Sequence, residues 1–208
     1  MNIVLIGDSG HAKVIKDILL ANGDHIIGIL DDKYLDTFIV DKIVKGPVRH
    51  LEVFLKDKQV KVIVAIGNNV IREAVVSRIN ISEDRYFTCI HPSVIKSPSA
   101  MIGKGTVVMP GAIINADACI GMHCIINTNA VVEHDCFIDN YVHISPSSVI
   151  TGGVKIEQGV HLGAGSSVIP LVSIGKWTTV GAGAVVVKDL PAHCTAVGSP
   201  AKPIKFHE

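Results

Sequence analysis

The stretch Ile102-Gly103-Lys104-Gly105-Thr106-Val107-Val108-Met109-Pro110-Gly111-Ala112-Ile113-Ile114-Asn115-Ala116-Asp117-Ala118-Cys119-Ile120 sets an aliphatic residue at every sixth position. The beat continues through Ile126, Val132, Ile138, Ile144, Ile150, Ile156, Leu162, Val168, Ile174, Val180 and Val186. Two residues before each aliphatic the side chain is small or β-branched, from Ala100, Thr106 and Ala112 through Cys124 and Cys136 to Ala184. Gly, Asn or Asp commonly follows it, as at Gly103, Asn115, Gly121, Asn127, Asp139, Gly163, Gly175 and Gly181. A period of six is neither the two of a lone strand nor the 3.6 of a helix. It fits a coil with three flat faces, in which each hexad supplies one short strand and one corner. The fold expected is a left-handed parallel β-helix of about five coils, with strands stacked about 4.8 Å apart. The aliphatics point inward, the small residues fill the narrow space left, and the Gly, Asn and Asp that follow supply the positive φ of the corners.

Outside the repeat the chain changes character. Residues 1–90 hold 12 basic and 12 acidic side chains, and residues 91–208 hold 7 of each. The first part alternates apolar runs with amphipathic ones. Strands are expected over 1–6, 26–30 and 61–66, and helices over 10–21, 48–58 and 69–79. Val14, Ile15, Ile18 and Leu19 mark the buried face of the first helix. This alternation implies a small parallel α/β sheet, a Rossmann-like domain over 1–90 ahead of a β-helix domain over 91–208.

Composition removes several classes of function. With 19 basic and 19 acidic residues the net charge is zero, which lacks the basic footprint of a nucleic-acid binder. No apolar run approaches the roughly 20 residues that span a bilayer, and Met1–Asp8 does not read as a signal peptide. Five cysteines without CxxC spacing suggest reduced thiols and a cytoplasmic location rather than a disulfide framework. The outer faces of the coil carry Val107, Ile113, Ile125, Val131, Val149 and Ile169. That is more apolar surface than a neutral monomer exposes comfortably, and a homotrimer of parallel prisms, with active sites between subunits, is expected.

Glu133-His134-Asp135 is the densest charge in a nearly uncharged coil. One coil later on the same corner stands Gly152, inside Thr151-Gly152-Gly153. A ledge without side chains beside the imidazole could admit a thioester and turn backbone N–H groups toward its oxygen. In the first domain, Gly7-Asp8-Ser9-Gly10 opens a helix and suits a phosphate, but it is not the GxGxxG of a dinucleotide site. His143 and His161 are one coil apart and should stack on the outer wall. Together with His123 they invite comparison with a metal site, yet the spacings do not give three convergent ligands.

The ending Val180-Gly181-Ala182-Gly183-Ala184-Val185-Val186-Val187-Lys188-Asp189, with Val197-Gly198-Ser199-Pro200-Ala201-Lys202, resembles that of hexapeptide-repeat acyltransferases that use acyl-CoA. Gly7-Asp8-Ser9-Gly10-His11-Ala12-Lys13-Val14, Gly28-Ile29-Leu30-Asp31-Asp32 and Ala65-Ile66-Gly67-Asn68-Asn69 narrow the resemblance to bacterial sugar acetyltransferases. These N-acetylate UDP-linked 4-amino sugars, as in bacillosamine synthesis, while relatives O-acetylate sialic acid. The resemblance implies that Ser9, Gly10, His11, Asp31, Asp32 and Gly67 hold a nucleotide sugar. It further implies that His134 is a general base assisted by Asp135, that His143 contacts acetyl-CoA, and that the backbone at Ala164 and Ala182 meets the pantetheine arm. Lys202 is a candidate to meet CoA phosphates, with a solvated surface charge as the alternative. The activity implied is acetyl-CoA-dependent N-acetylation of a nucleotide-linked, UDP-type amino sugar for glycan or polysaccharide synthesis, without a metal. A sugar O-acetyltransferase or a non-catalytic nucleotide-sugar scaffold are the alternatives.

Overall fold

The structure, a computed structural model, describes residues 1–207. The first domain holds β1 (Asn2–Ile6), α1 (Gly10–Ala21), β2 (His25–Leu30), β3 (Phe38–Val40), β4 (Ile43–Gly46), α2 (Leu51–Leu55), β5 (Lys61–Val64) and α3 (Asn69–Ile79). Its sheet runs β3-β4-β2-β1-β5. All neighbours are parallel except the β3–β4 hairpin at the edge. The bounds of α1 and α3 are those the apolar spacing implies. Val14, however, lies outside at 38% exposure, and Ala12 takes its place in the core beside Ile15, Ile18 and Leu19. The expected helix over 48–58 shrinks to a 3₁₀ turn at Val48–His50 followed by the short α2. The hairpin escaped the periodicity because all three residues of β3 are exposed, so its sequence has no alternation to find.

The second domain is the β-helix. Its pairs step by one coil, as in Ile113 with Val131 and Val131 with Val149, and all are parallel. Three sheets result. One contains Ile95–Lys96 to Val185–Val186, a second Met101–Ile102 to Ser173–Ile174, and a third starts at Cys89–Ile90 and includes Thr179–Val180. The coil therefore begins two hexads before Ile102 and takes in the last two residues of the 1–90 segment. It ends on Cys194–Val197, which pairs in parallel with Thr179–Val180, and on Lys202–Phe206, which returns antiparallel.

The inward side chains follow the repeat closely. Every aliphatic from Val108 to Val186 in the six-residue series is buried, as is every small residue from Ala100 to Ala184. Burying each such aliphatic is worth about 1.5–3 kcal/mol relative to exposure, so one register of the period carries the core. The corner chemistry differs from expectation. Positive φ falls three residues after the aliphatic, at Gly105, Gly111, Asp117, Asn129, Asp135, Gly153 and Leu171 among others, not on the residue that follows it. Gly103, Gly121 and Gly163 are there for space instead. A Cβ on Gly103 would come 2.6 Å from the Gly121 backbone, and one on Gly163 would come 2.5 Å from the Ala182 nitrogen.

The two domains share packed surface. Val107 and Ile125, expected on an open outer face, are 1% exposed because α1 and β1 of the same chain cover them. A polar face of α3 completes the join. Asn69 Nδ2 donates to the carbonyls of Gly159 and Val160, and Gln158 Nε2 donates to Glu73 Oε1 at 2.7 Å. Arg72, 1% exposed, spends its guanidinium on neutral acceptors. It donates to the carbonyls of Ile66, Gly67, His123 and Tyr141 and to Asn69 Oδ1, between 2.8 and 3.2 Å. Residues 69, 72 and 73 share one helix face, and that face bolts the Gly67 loop to the coil.

Candidate active site

His134 occupies the corner between the sheet of Val131–Val132 and that of Phe137–Ile138. Asp135 takes a left-handed conformation (φ 58°), which turns its carboxylate back to the ring. His134 Nδ1 stands 2.8 Å from Asp135 Oδ2. With the Nδ1–H donating there, Nε2 keeps its lone pair for a substrate proton. Hydrogen bonding to Asp135 raises the histidine pKa, and the charges of Asp135 and Glu133 add to it while desolvation opposes. Both side chains are well exposed.

The imidazole packs against the glycine ledge. A Cβ at Gly152 would lie 2.6 Å from His134 Cε1 and 2.7 Å from Nε2, so any larger residue displaces the ring. The Gly153 N–H is taken by the His134 carbonyl at 3.0 Å. The Gly152 N–H has no acceptor among the described residues and is free for a ligand oxygen. On the corner across the neighbouring face, the Ala164 and Ala182 N–H groups likewise lack acceptors. Lys202 is exposed on the returning strand opposite Val197, whose side chain leans over Gly181.

The first-domain candidates form two groups. Ser9, Asp31 and Asp32 line a 210 Å³ recess with Gly7, Ile71, Val75 and Arg78. Ser9 begins α1 without capping it through its own side chain, which leaves its hydroxyl available, and Gly10 follows with open space around its Cα. Asp31 accepts from the N–H groups of Asp8 (2.8 Å) and Lys33 (3.0 Å), and Asp32 accepts from the Val48 N–H and from Arg78 at 2.7 Å. Sequence reading missed Arg78, as well as the knot in which Tyr34 and Lys45 donate to Asp8 at 2.6 and 2.7 Å. Residues so far apart in sequence carry no spacing signal.

His11, Gly67 and His143 gather at the domain junction. Together with His161, Trp177, His193 and His207, Gly67 and His143 line a cleft of about 630 Å³ beside the start of α3. His143 and His161 stack at 4.8 Å with rings 10° apart. His143 Nε2 meets Asn127 Nδ2 at 3.0 Å, and His161 Nε2 meets Ser145 Oγ at 2.9 Å. Burial, with Arg72 next, lowers the His11 pKa to about 4. Burial lowers that of His143 to about 3, with His161, Arg72 and His11 contributing. Among the described residues no cluster of His, Cys, Asp and Glu could hold a metal ion, and no helix is long and apolar enough to cross a membrane. The five cysteines are free thiols. His134 and Gly152 stand on the corner between the two sheets other than the one whose Val107 and Ile125 the first domain covers.

A domain that presents a glycine-turn recess, joined to a β-helix with a histidine–carboxylate corner over a free N–H, defines a transferase class rather than a single enzyme. Residues 2–79 match the PglD N-terminal domain. A perosamine N-acetyltransferase from Caulobacter crescentus, crystallised with CoA and GDP-perosamine, is 40% identical over 99% of this chain and 97% of its own, with a TM-score of 0.89. The acetyltransferase domain of PglB from Neisseria gonorrhoeae is 34% identical over 98% and 99%, with a TM-score of 0.86. The chain belongs to this family of acetyl-CoA-dependent sugar N-acetyltransferases. A UDP-N-acetylbacillosamine N-acetyltransferase from Bacillus subtilis is 45% identical over 112 residues, and the match spans about half of either chain, 52% of this one and 51% of the relative.

Proposed function

We propose that the protein transfers the acetyl group of acetyl-CoA to the amine of a nucleotide-linked amino sugar, UDP-linked as in the Bacillus relative, at a site completed between neighbouring subunits of a cytoplasmic homotrimer. The observation that carries this reading is the His134–Asp135 pair packed on Gly152, with Nε2 and the Gly152 N–H both unengaged. The amine attacks the thioester carbonyl and forms the C–N bond. His134 Nε2 takes the proton released from that nitrogen, while the Gly152 N–H donates to the oxygen that becomes negative. Collapse breaks the C–S bond, and the proton on His134 passes to the CoA thiolate. No acyl-enzyme is required: Cys124 and Cys136 are buried, and burial pushes the Cys124 thiol up to about 12.

Within this reading residues 1–90 hold the nucleotide sugar and residues 91–208 hold acetyl-CoA. Ser9, Gly10, His11, Asp31, Asp32 and Gly67 face the sugar nucleotide, and His143, Ala164, Ala182 and Lys202 face CoA. The trimer is supported by the separation of His134 from the sugar-binding side and by the face between the two corners. That face presents Ile113, Val131 and Val149, which the first domain leaves uncovered. Three copies joined through it bring the His134 corner of one beside the Ala164 and Ala182 corner of the next. Release of CoA thiol on mixing acetyl-CoA with a UDP-linked 4-amino sugar tests the activity, and a hydroxyl acceptor in parallel tests O-transfer. Absence of thiol release with amino acceptors rejects the proposal. A monomer at micromolar concentration in sedimentation equilibrium rejects the shared site.

A further inference from the structure

The corner above the glycine ledge carries an anomaly. Leu171 is left-handed (φ 63°) and 81% exposed. The other non-glycine residues with positive φ are polar, charged or aromatic, and Leu171 is the only aliphatic one among the described residues. Backbone of this kind suits Gly or Asn and disfavours a leucine, while exposure gives the side chain no core to repay it. An observed outlier of this kind points toward function.

Its position gives the strain a use. The Leu171 N–H donates to the Gly152 carbonyl at 3.1 Å, so Leu171 stands one coil above the ledge. Its side chain bends down, with Cδ2 2.7 Å from where a Cβ of Gly153 would be. The two glycines are thus enclosed from below by the His134 imidazole, which covers Gly152, and from above by the leucine, which covers Gly153. Gly152, whose N–H has no acceptor among the described residues, stands between these two side chains. A thioester oxygen bound there leaves its acyl carbons beside the isobutyl group.

We infer that Leu171 sets the acyl-chain limit of the transfer, its side chain forming the upper wall of an acyl pocket whose floor is the His134 ring. The inference rests on the reading of Gly152 and His134 given above. The ligand class is the short-chain acyl-CoA thioester: an acetyl methyl fits under the leucine, and each added methylene meets it. A pocket wall discriminates one methylene by about 10- to 200-fold.

Steady-state kinetics of the full chain with a UDP-linked 4-amino sugar and acetyl-, propionyl- and butyryl-CoA test this in wild type, Leu171→Gly and Leu171→Asn. Both replacements suit a left-handed residue, so the melting temperature holds or rises. The expected result is that kcat/KM for butyryl-CoA relative to acetyl-CoA climbs at least about tenfold in Leu171→Gly, that acetyl-CoA turnover falls only a few-fold, and that the sedimenting mass is unchanged. An unchanged acyl preference in an active Leu171→Gly overturns the inference and leaves the acetyl-transfer reading intact. Dissociation of the oligomer without a change of preference also overturns it, since the leucine is then a contact between copies. No thiol release from wild type with any donor overturns both.

Discussion

The exposed corner and the domain junction both hold histidines, and the two environments drive them in opposite directions. At the corner, His134 donates to a carboxylate in water and its pKa rises. At the junction, His11 and His143 are half-buried beside the Arg72 guanidinium, whose partners among the described residues are all neutral, and their pKa values fall to about 4 and about 3. The ring is the same in each case, while the neighbouring charge and the loss of water differ. An exposed ring beside a carboxylate that favours its charged form can take and return a proton. A group held neutral can only pack, accept or donate, so in the proposed reaction the proton transfer falls to His134 and the junction histidines are left to hold ligand.

The comparison breaks most directly at His134. His134→Ala should lower kcat by about 10²–10⁴-fold while calorimetry still shows both ligands binding; near-normal turnover would move the base to the junction. Gly152→Val should follow at on the order of 10²-fold, comparable to losing an oxyanion donor, because its side chain displaces the imidazole. Full activity in that variant removes the ledge from the mechanism. Asp135→Asn should cost less, on the order of tenfold, since the pair is solvent-exposed and the base remains. The ascending limb of its pH–rate profile should shift to lower pH as the carboxylate's contribution disappears. Asp32→Ala should raise KM for the nucleotide sugar a few-fold and leave KM for acetyl-CoA nearly unchanged; parallel weakening of both would end the division of labour.

The junction histidines give the smallest effect, one on stability. Their folded pKa values lie below the unfolded value of about 6.5, so between those values the unfolded chain binds more protons than the folded one. Stability therefore rises with pH across that window and is lost as pH falls from about 6.5 toward 4. Melting temperatures should decline over this range, and His143→Gln should flatten the slope. A flat profile in wild type would mean the junction is more hydrated than its burial indicates.

Much of the site was legible because the repeat is also a ruler. One 18-residue step put Gly152 over His134 and His161 over His143, and the register confirms both stackings. The ruler fails where residues act across domains. Nothing in the period marks Arg72, whose acceptors lie across the domain join, or Leu171, which stands outside the six-residue series. Val107 and Ile125 read as outer-face residues because nothing local says that α1 lies on them. The corner glycines were assigned a conformational role when their true constraint is the backbone of the next coil.

By itself, the sequence determined the coil, its inward residues and the histidine corner, because each turn repeats the same short-range demands and a single register satisfies them all. Tertiary structure alone decided which face the first domain covers and that the His134 corner lies between the other two. It also decided how one buried guanidinium joins the Gly67 loop to the corners of His123 and Tyr141. Those outcomes depend on surfaces meeting from distant parts of the chain, where shape, burial and hydrogen-bond partners select the fit and no local period records it.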